Sequence, residues 1–155
     1  MNKKILILGS SGLLGSSLRN YFKNNNIQVL CHSRKSDSKF SADLTIAKDT
    51  LEMLSEAKPD IIINLAGMTD VNLCEKNPNL AYVSNVKIIE NIKLYLMLKS
   101  STCHLIHIST DHIYDSSNNS HESEVAIKNY YAFSKYAGEL AAMSIPMNVS
   151  VIRTN

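Results

Sequence analysis

Tyr131 and Lys135, four residues apart in the run YAFSK, share one face if that run is helical. A phenol titrates near ~10 and is a poor acid or base at neutral pH. An ammonium beside it stabilises the phenolate and lowers that value, so the tyrosine can give or take a proton at a substrate oxygen. Thr110, at the end of an apolar run over residues 104–108, is placed to hydrogen-bond the same oxygen. Tyr-x-x-x-Lys also arises by chance on helices. Here its weight comes from position, after the fifth expected strand and behind a glycine motif near the chain start.

That motif is ILILGSSGLLGSSL, in which Gly9, Gly12 and Gly15 follow four apolar residues. At a strand-to-helix turn the first glycine permits a tight reversal, the second lets the backbone approach a ligand, and the third lets helix and strand pack closely. The helix N-terminus then offers free N–H groups and partial positive charge to a pyrophosphate. The spacing G-x-x-G-x-x-G differs from G-x-G-x-x-G by one residue in the first gap, and a glycine-rich turn without ligand is the bland alternative.

Past the second strand, a carboxylate would accept from the adenosine ribose and favour NAD. The chain has His32-Ser33-Arg34-Lys35 instead. Arg34 fits a 2′-phosphate with Ser33 or Lys35 assisting, and a solvated basic loop is the alternative. Asp43 and Leu44 suit the flank of an adenine ring, although Asp43 equally suits a cap for the helix expected from residue 46. Ala66 and Gly67, small residues after the fourth strand, would let a cofactor pass close.

The elements that must position these groups are short apolar runs alternating with helix-length segments. Strands are expected over residues 4–8, 27–31, 39–42, 60–65, 104–108 and 148–152. Helices are expected over residues 13–23, 46–57, 80–99 and 131–144. In the third of these, Leu80, Val83, Ile88, Ile92, Leu96 and Met97 make an apolar stripe. Runs without polar alternation, such as IIIN, suit strands covered on both faces. The order implies an α/β fold, a doubly wound parallel sheet of the Rossmann type, with residues 115–124 as a surface loop.

With 155 residues, 45% hydrophobic and 19% charged, the chain has room for one domain with a sizeable core. A net charge of +2 on scattered basic residues gives no case for nucleic acid. No run reaches the ~18 apolar residues of a membrane span, and no N-terminal segment has signal-peptide form. Cys31, Cys74 and Cys103 are far apart and suit a reducing, cytoplasmic setting. His104 and His107 lie three apart on a strand and face opposite sides, which argues against a metal site. The helix over residues 80–99 and the last strand offer surfaces for homo-oligomer formation.

GSSGLLGSSL, INLAGMTDVNLCEKNPNLAYVSNV, ISTDHIYD and NYYAFSKYAGE, in that order, resemble the extended short-chain dehydrogenase/reductase family, in its dTDP-4-dehydrorhamnose reductase branch. The resemblance implies Thr110, Tyr131 and Lys135 as the catalytic trio, with Tyr131 protonating the C4 oxygen of a deoxyhexulose and Lys135 also holding the nicotinamide ribose. It implies Gly9, Ser11, Gly12, Leu13, Leu14 and Gly15 around the pyrophosphate, and Ala66, Gly67 and Thr69 beside the nicotinamide. Asn85 matches a family asparagine that is structural or part of a proton relay. The implied cofactor is NADPH, with NADH accepted too, and the implied substrate is a nucleotide-linked 4-keto-6-deoxysugar. Ile127-Lys128 and Ala132 depart from the family pattern without removing a catalytic group. Family members are longer, so the resemblance makes residues 1–155 the NAD(P)-binding part of a longer reductase whose substrate-binding C-terminal part is absent here. An epimerase or dehydratase with bound NAD, and a non-catalytic cofactor-binding regulatory subunit, are the other expectations.

Overall fold

The two most uniformly apolar runs form the middle of a parallel sheet. In this computed structural model, which describes residues 3–34, 38–99, 102–114, 121–146 and 148–155, β1 (Ile5–Leu8) pairs with β2 (Val29–His32) and with β3 (Ile61–Asn64). β4 (His104–Thr110) adds to β3, and β5 (Val149–Thr154) adds to β4. The order is β2-β1-β3-β4-β5, every pair parallel, as a Rossmann-type sheet requires. The strand expected over residues 39–42 is reduced to a single bridge between Phe40 and His32. Phe40 and Ala42 pack on the core, alternating with the exposed Lys39 and Ser41, and only Phe40 bridges to β2.

Helices α1 (Leu13–Asn24), α2 (Ala47–Ala57) and α6 (Tyr130–Met143) fall within a residue of expectation. From β1 the chain crosses outward to β2, then back past β1 to β3, and onward to β4 and β5. Right-handed crossovers therefore put α1 on one face and the later helices on the other. The core agrees: Leu6, Leu8, Ile62 and Leu105 of the sheet cluster with residues of α2, α6 and the helical segment 88–98, and none of α1. Ile7 and Ile63, which alternate with them, are buried on the opposite face. The histidines of β4 divide the same way. His104 Nε2 lies 2.9 Å from Ser150 Oγ, while His107 Nδ1 lies 3.2 Å from Asn64 Nδ2.

The single helix expected over residues 80–99 is three pieces, α4 (Pro78–Tyr82), a π-helical segment (Val83–Lys87) and α5 (Ile88–Leu98), with α3 (Val71–Lys76) before them. Pro78 opens α4, and the Asn77 side chain caps it by accepting from Leu80 N–H at 3.2 Å. The π turn takes in an extra residue and rotates α5 relative to α4. Leu80 and Met97 of the expected stripe are 37% and 52% exposed, while Ile88, Ile92 and Leu96 are buried.

Candidate functional site

The chain reverses after β1 at Gly9, whose φ of +80° is open to glycine and strained for other residues. A Cβ there would lie 2.8 Å from the amide nitrogen of Ala66, so the turn presses directly on the loop after β3. Gly15 is the buried residue of α1, and a Cβ on it would stand 2.4 Å from the Gly9 carbonyl oxygen. Gly12 differs. A Cβ on it would meet only that same oxygen, at 3.4 Å, and its open side borders a cleft. No side chain caps α1 and its first turn carries no acid, so its leading N–H groups are open to an anion. Leu13, 91% exposed, and Leu14, 43% exposed, stand on that first turn.

The cleft has a volume of about 630 Å³. Its walls take Gly9, Ser11 and Gly12 from the glycine turn, Ser33 and Arg34 from the end of β2, and Asp43 and Leu44 from the following loop. Ala66, Gly67 and Thr69 come from the loop after β3. Lys35 lies outside the described residues. Asp43 does not cap α2, whose N-cap is Ile46. Its Oδ1 accepts from Thr45 N–H at 2.9 Å and from Thr45 Oγ1 at 2.7 Å, and these bonds hold its carboxyl below the usual range. Ser33 Oγ meets Ser38 Oγ at 2.8 Å.

Sequence reasoning missed several wall residues, among them His32, Met68, Asp70, Ser84 and Ile88. His32 closes β2, the place where loops meet ligands in such sheets, and could have been nominated on that ground. Its Nε2 lies 2.8 Å from the Ala42 carbonyl and burial pushes its pKa down, so the ring is neutral with Nε2 as donor. Met68 sits between two nominated residues. Ser84 and Ile88 had no signal, because an uninterrupted α-helix places them differently.

Thr110 ends β4, Lys135 reaches that strand at the Ile108 carbonyl, and Tyr131 approaches Thr110 through His112, while none of the three lines the cleft. Asn129 caps α6 by accepting from Ala132 N–H at 2.7 Å, and Glu75 accepts from Tyr130 N–H at 2.6 Å, which fixes where the helix begins. The Tyr131 ring packs edge-on against His112, with centroids 5.5 Å apart. His112 N–H in turn donates to Thr110 Oγ1 at 3.2 Å, so the threonine hydroxyl keeps its own proton to give. Met68 joins the two regions, lining the cleft and packing on the cluster of Cys74, Ala81 and Tyr131. The Lys135 ammonium donates to the Ile108 carbonyl at 2.7 Å, and burial pushes its pKa down to about 8.

Behind this group lies a layer of buried amides. Asn85, in the π-helical segment, accepts from Met68 N–H at 2.7 Å and donates to the Met68 carbonyl at 3.1 Å and to Ser134 Oγ at 2.8 Å. It ties the cleft loop to α6. Gly138 makes this possible, since a Cβ there would lie 2.5 Å from the Asn85 carbonyl oxygen. Asn64 accepts from Ala66 N–H at 3.3 Å and donates to His107 Nδ1. His107 is driven down to about 3, mostly by burial and further by the Lys135 charge, and stays neutral.

These residues fit a dinucleotide. A glycine turn leads into an uncapped helix start, and Ala66 and Gly67 adjoin it on the cleft wall. An arginine stands on the wall at the β2 end, and a tyrosine–lysine pair stands beside the cleft. Among the described residues no group of His, Cys, Asp or Glu could hold a metal ion, and no helix is long and apolar enough to cross a membrane.

A family model, RmlD substrate binding domain, matches residues 3–155. Among curated proteins, the chain is 26% identical to methionine adenosyltransferase 2 subunit beta of Pongo abelii, over 98% of this chain and 46% of that protein. It is 27% identical to dTDP-4-dehydrorhamnose reductase of Aggregatibacter actinomycetemcomitans, over 98% of this chain and 51% of that protein. Among solved structures, it superposes on dTDP-4-dehydrorhamnose reductase from Bacillus anthracis in complex with NADP with a TM-score of 0.85. The identity there is 27%, covering 99% of this chain and 53% of that one. The chain thus spans about half the length of the relatives it matches.

Proposed function

Since the chain belongs to the RmlD substrate binding domain family, we propose that residues 1–155 form the NAD(P)-binding domain of a reductase acting on a nucleotide-linked 4-keto-6-deoxysugar. The preferred cofactor is NADPH, with NADH as a weaker alternative. The observations that support this reading are Lys135 on the Ile108 carbonyl and Tyr131 against His112, both near the Thr110 end of β4, with Met68 joining them to a cleft that begins at a glycine turn. The relative of known structure with 27% identity was crystallised with NADP, which supports the cofactor.

Gly9, Ser11, Gly12 and Leu13 hold the pyrophosphate at the start of α1, with Leu14 and Gly15 shaping that turn. Ser33 and Arg34 take the adenosine phosphate, and Asp43 and Leu44 border the adenine. Ala66, Gly67 and Thr69 border the nicotinamide, which when bound in reduced form supplies a hydride to the sugar carbonyl carbon. Tyr131 gives its phenolic proton to the carbonyl oxygen, so the ketone becomes an alcohol. The Lys135 ammonium stabilises the phenolate left behind, and the Thr110 hydroxyl steadies the same oxygen. The purified protein should oxidise NADPH only when such a sugar is present. Tyr131→Phe should lower that rate by about 100-fold or more, and an unchanged rate removes the proton-donor role.

A second reading is a cofactor-binding subunit that regulates a partner. The likeness to methionine adenosyltransferase 2 subunit beta supports it. NADPH binding without sugar-dependent oxidation would favour that reading over the first.

A further inference from the structure

Lys135 and Glu139 are one turn apart on α6, the spacing at which a lysine and a glutamate ordinarily pair. They do not pair here. The Glu139 carboxylate, 1% exposed, is taken by Arg153 of β5, whose Nε donates to Oε1 at 3.0 Å and whose Nη2 donates to Oε2 at 2.7 Å. This is a two-pronged guanidinium–carboxylate contact. The Arg153 guanidinium is itself fixed, because Nη1 donates to the Tyr114 hydroxyl and to the Glu122 carbonyl at 2.8 Å, and the Tyr114 ring lies 5.0 Å away. Lys135, 7% exposed, is left to reach the Ile108 carbonyl at 2.7 Å.

We propose that Arg153 is a positioning residue for Lys135, acting through Glu139: by occupying both carboxylate oxygens it keeps the ammonium on the β4 end instead of on its own helix. This deepens the reading of Tyr131 and Lys135 as the proton-transfer pair and rests on it for its use in turnover. Among the described residues, the ionisable groups facing Lys135 are few. His107 faces it from β4 and is neutral, Glu139 and Tyr131 share its helix, and Arg153 stands behind Glu139 on β5. The π-helical segment offers the Asn85 amide, while Lys87 of that segment pairs with Glu90. Glu139 is therefore the acid able to capture the ammonium, and Arg153 is what occupies it. Without Arg153, a buried carboxylate would have Lys135 as its nearest cation. The lysine would bind its proton more tightly and turn from Ile108 toward Glu139.

The test is the Lys135 titration, followed by NMR of isotope-labelled lysine side chains in wild type, Arg153→Met, Glu139→Gln, the double variant and Arg153→Lys. Arg153→Met should raise the proton affinity of Lys135 about tenfold or more, a shift of one pH unit in its midpoint. Adding Glu139→Gln should bring the midpoint back to the wild-type value or below. Arg153→Lys, lacking the fork, should restore it only in part. Glu139→Gln alone leaves no unpaired buried acid, so it folds even where Arg153→Met does not, and it should lower the midpoint below wild type. An unmoved Lys135 midpoint in folded Arg153→Met, or in Glu139→Gln, overturns the proposal. If wild type fails to bind NADPH, the cofactor reading fails, while the midpoint shifts still decide the role of Arg153.

Discussion

The Lys135 ammonium rests on the main-chain oxygen of Ile108, 2.7 Å away and two residues before Thr110, inside the protein and off its neighbouring acid. That placement has a cost with a measurable pH signature. Burial pushes the pKa of the native lysine down to about 8, against 10.5 for a free side chain. Between those pH values the unfolded chain binds the extra proton, so unfolding free energy rises with pH. The difference between wild type and Lys135→Met should show this as a gain of about 3 kcal/mol from pH 8 to 10.5. Urea denaturation at stepped pH measures it, and a flat difference would mean the ammonium is solvated.

The glycines of the first turn should separate by cost. Gly15→Ala drives a Cβ into the Gly9 carbonyl at 2.4 Å, main chain against main chain, and should cost about 2 kcal/mol or more. Gly12→Ala meets that oxygen only at 3.4 Å and should cost about 1 kcal/mol or less. Equal thermal unfolding temperatures for the two variants would show that the Gly15 contact carries no weight.

Arg34 stands on the cleft wall at the β2 end. If it takes a 2′-phosphate, Arg34→Ala should weaken NADPH about tenfold, roughly 1.4 kcal/mol, and leave NADH within about twofold. Fluorescence titration with both cofactors decides this, and equal losses would place Arg34 away from the phosphate.

Asn85 satisfies main-chain groups of Met68 on one side and Ser134 on the other, while buried. Asn85→Ala leaves those partners without replacement and should cost about 2–3 kcal/mol in chemical denaturation. Ser134→Ala should cost about 1 kcal/mol, since Met68 keeps its bonds. A loss under about 0.5 kcal/mol for Asn85→Ala would show that the amide is not what ties the loop to α6.

Much of this fold was readable from local pattern. Ile5–Leu8 and Ile61–Asn64 lack polar alternation and became the central strands. Gly9, Gly12 and Gly15 marked the strand-to-helix turn by their spacing; Gly15 answers a local steric demand, Gly9 a close approach to Ala66, and Gly12 opens on the cleft. Ser33, Arg34 and Ala66 were legible as groups just past strand ends, and Asp43 as the residue after the expected third strand, and these four line the cleft. The features that pattern did not reach were set by tertiary contact. The π turn exists where Asn85 can bond both Met68 and Ser134, and nothing within residues 83–87 announces it. The strand expected over residues 39–42 is a single bridge at Phe40, although Phe40 and Ala42 both pack on the core. Arg153 and Glu139 are fourteen residues apart in sequence and join only when β5 pairs beside β4. The direction of the Lys135 ammonium depends on that junction.

Every functional role assigned to this chain depends on a dinucleotide occupying the cleft at the start of α1. Calorimetric titration of NADPH into the protein and into Gly12→Val, with circular dichroism confirming that the variant is folded, addresses this directly. Saturable one-to-one binding to the wild type, lost when the valine side chain enters the cleft, is the expected result. No binding to the wild type, or binding that Gly12→Val leaves intact, contradicts it.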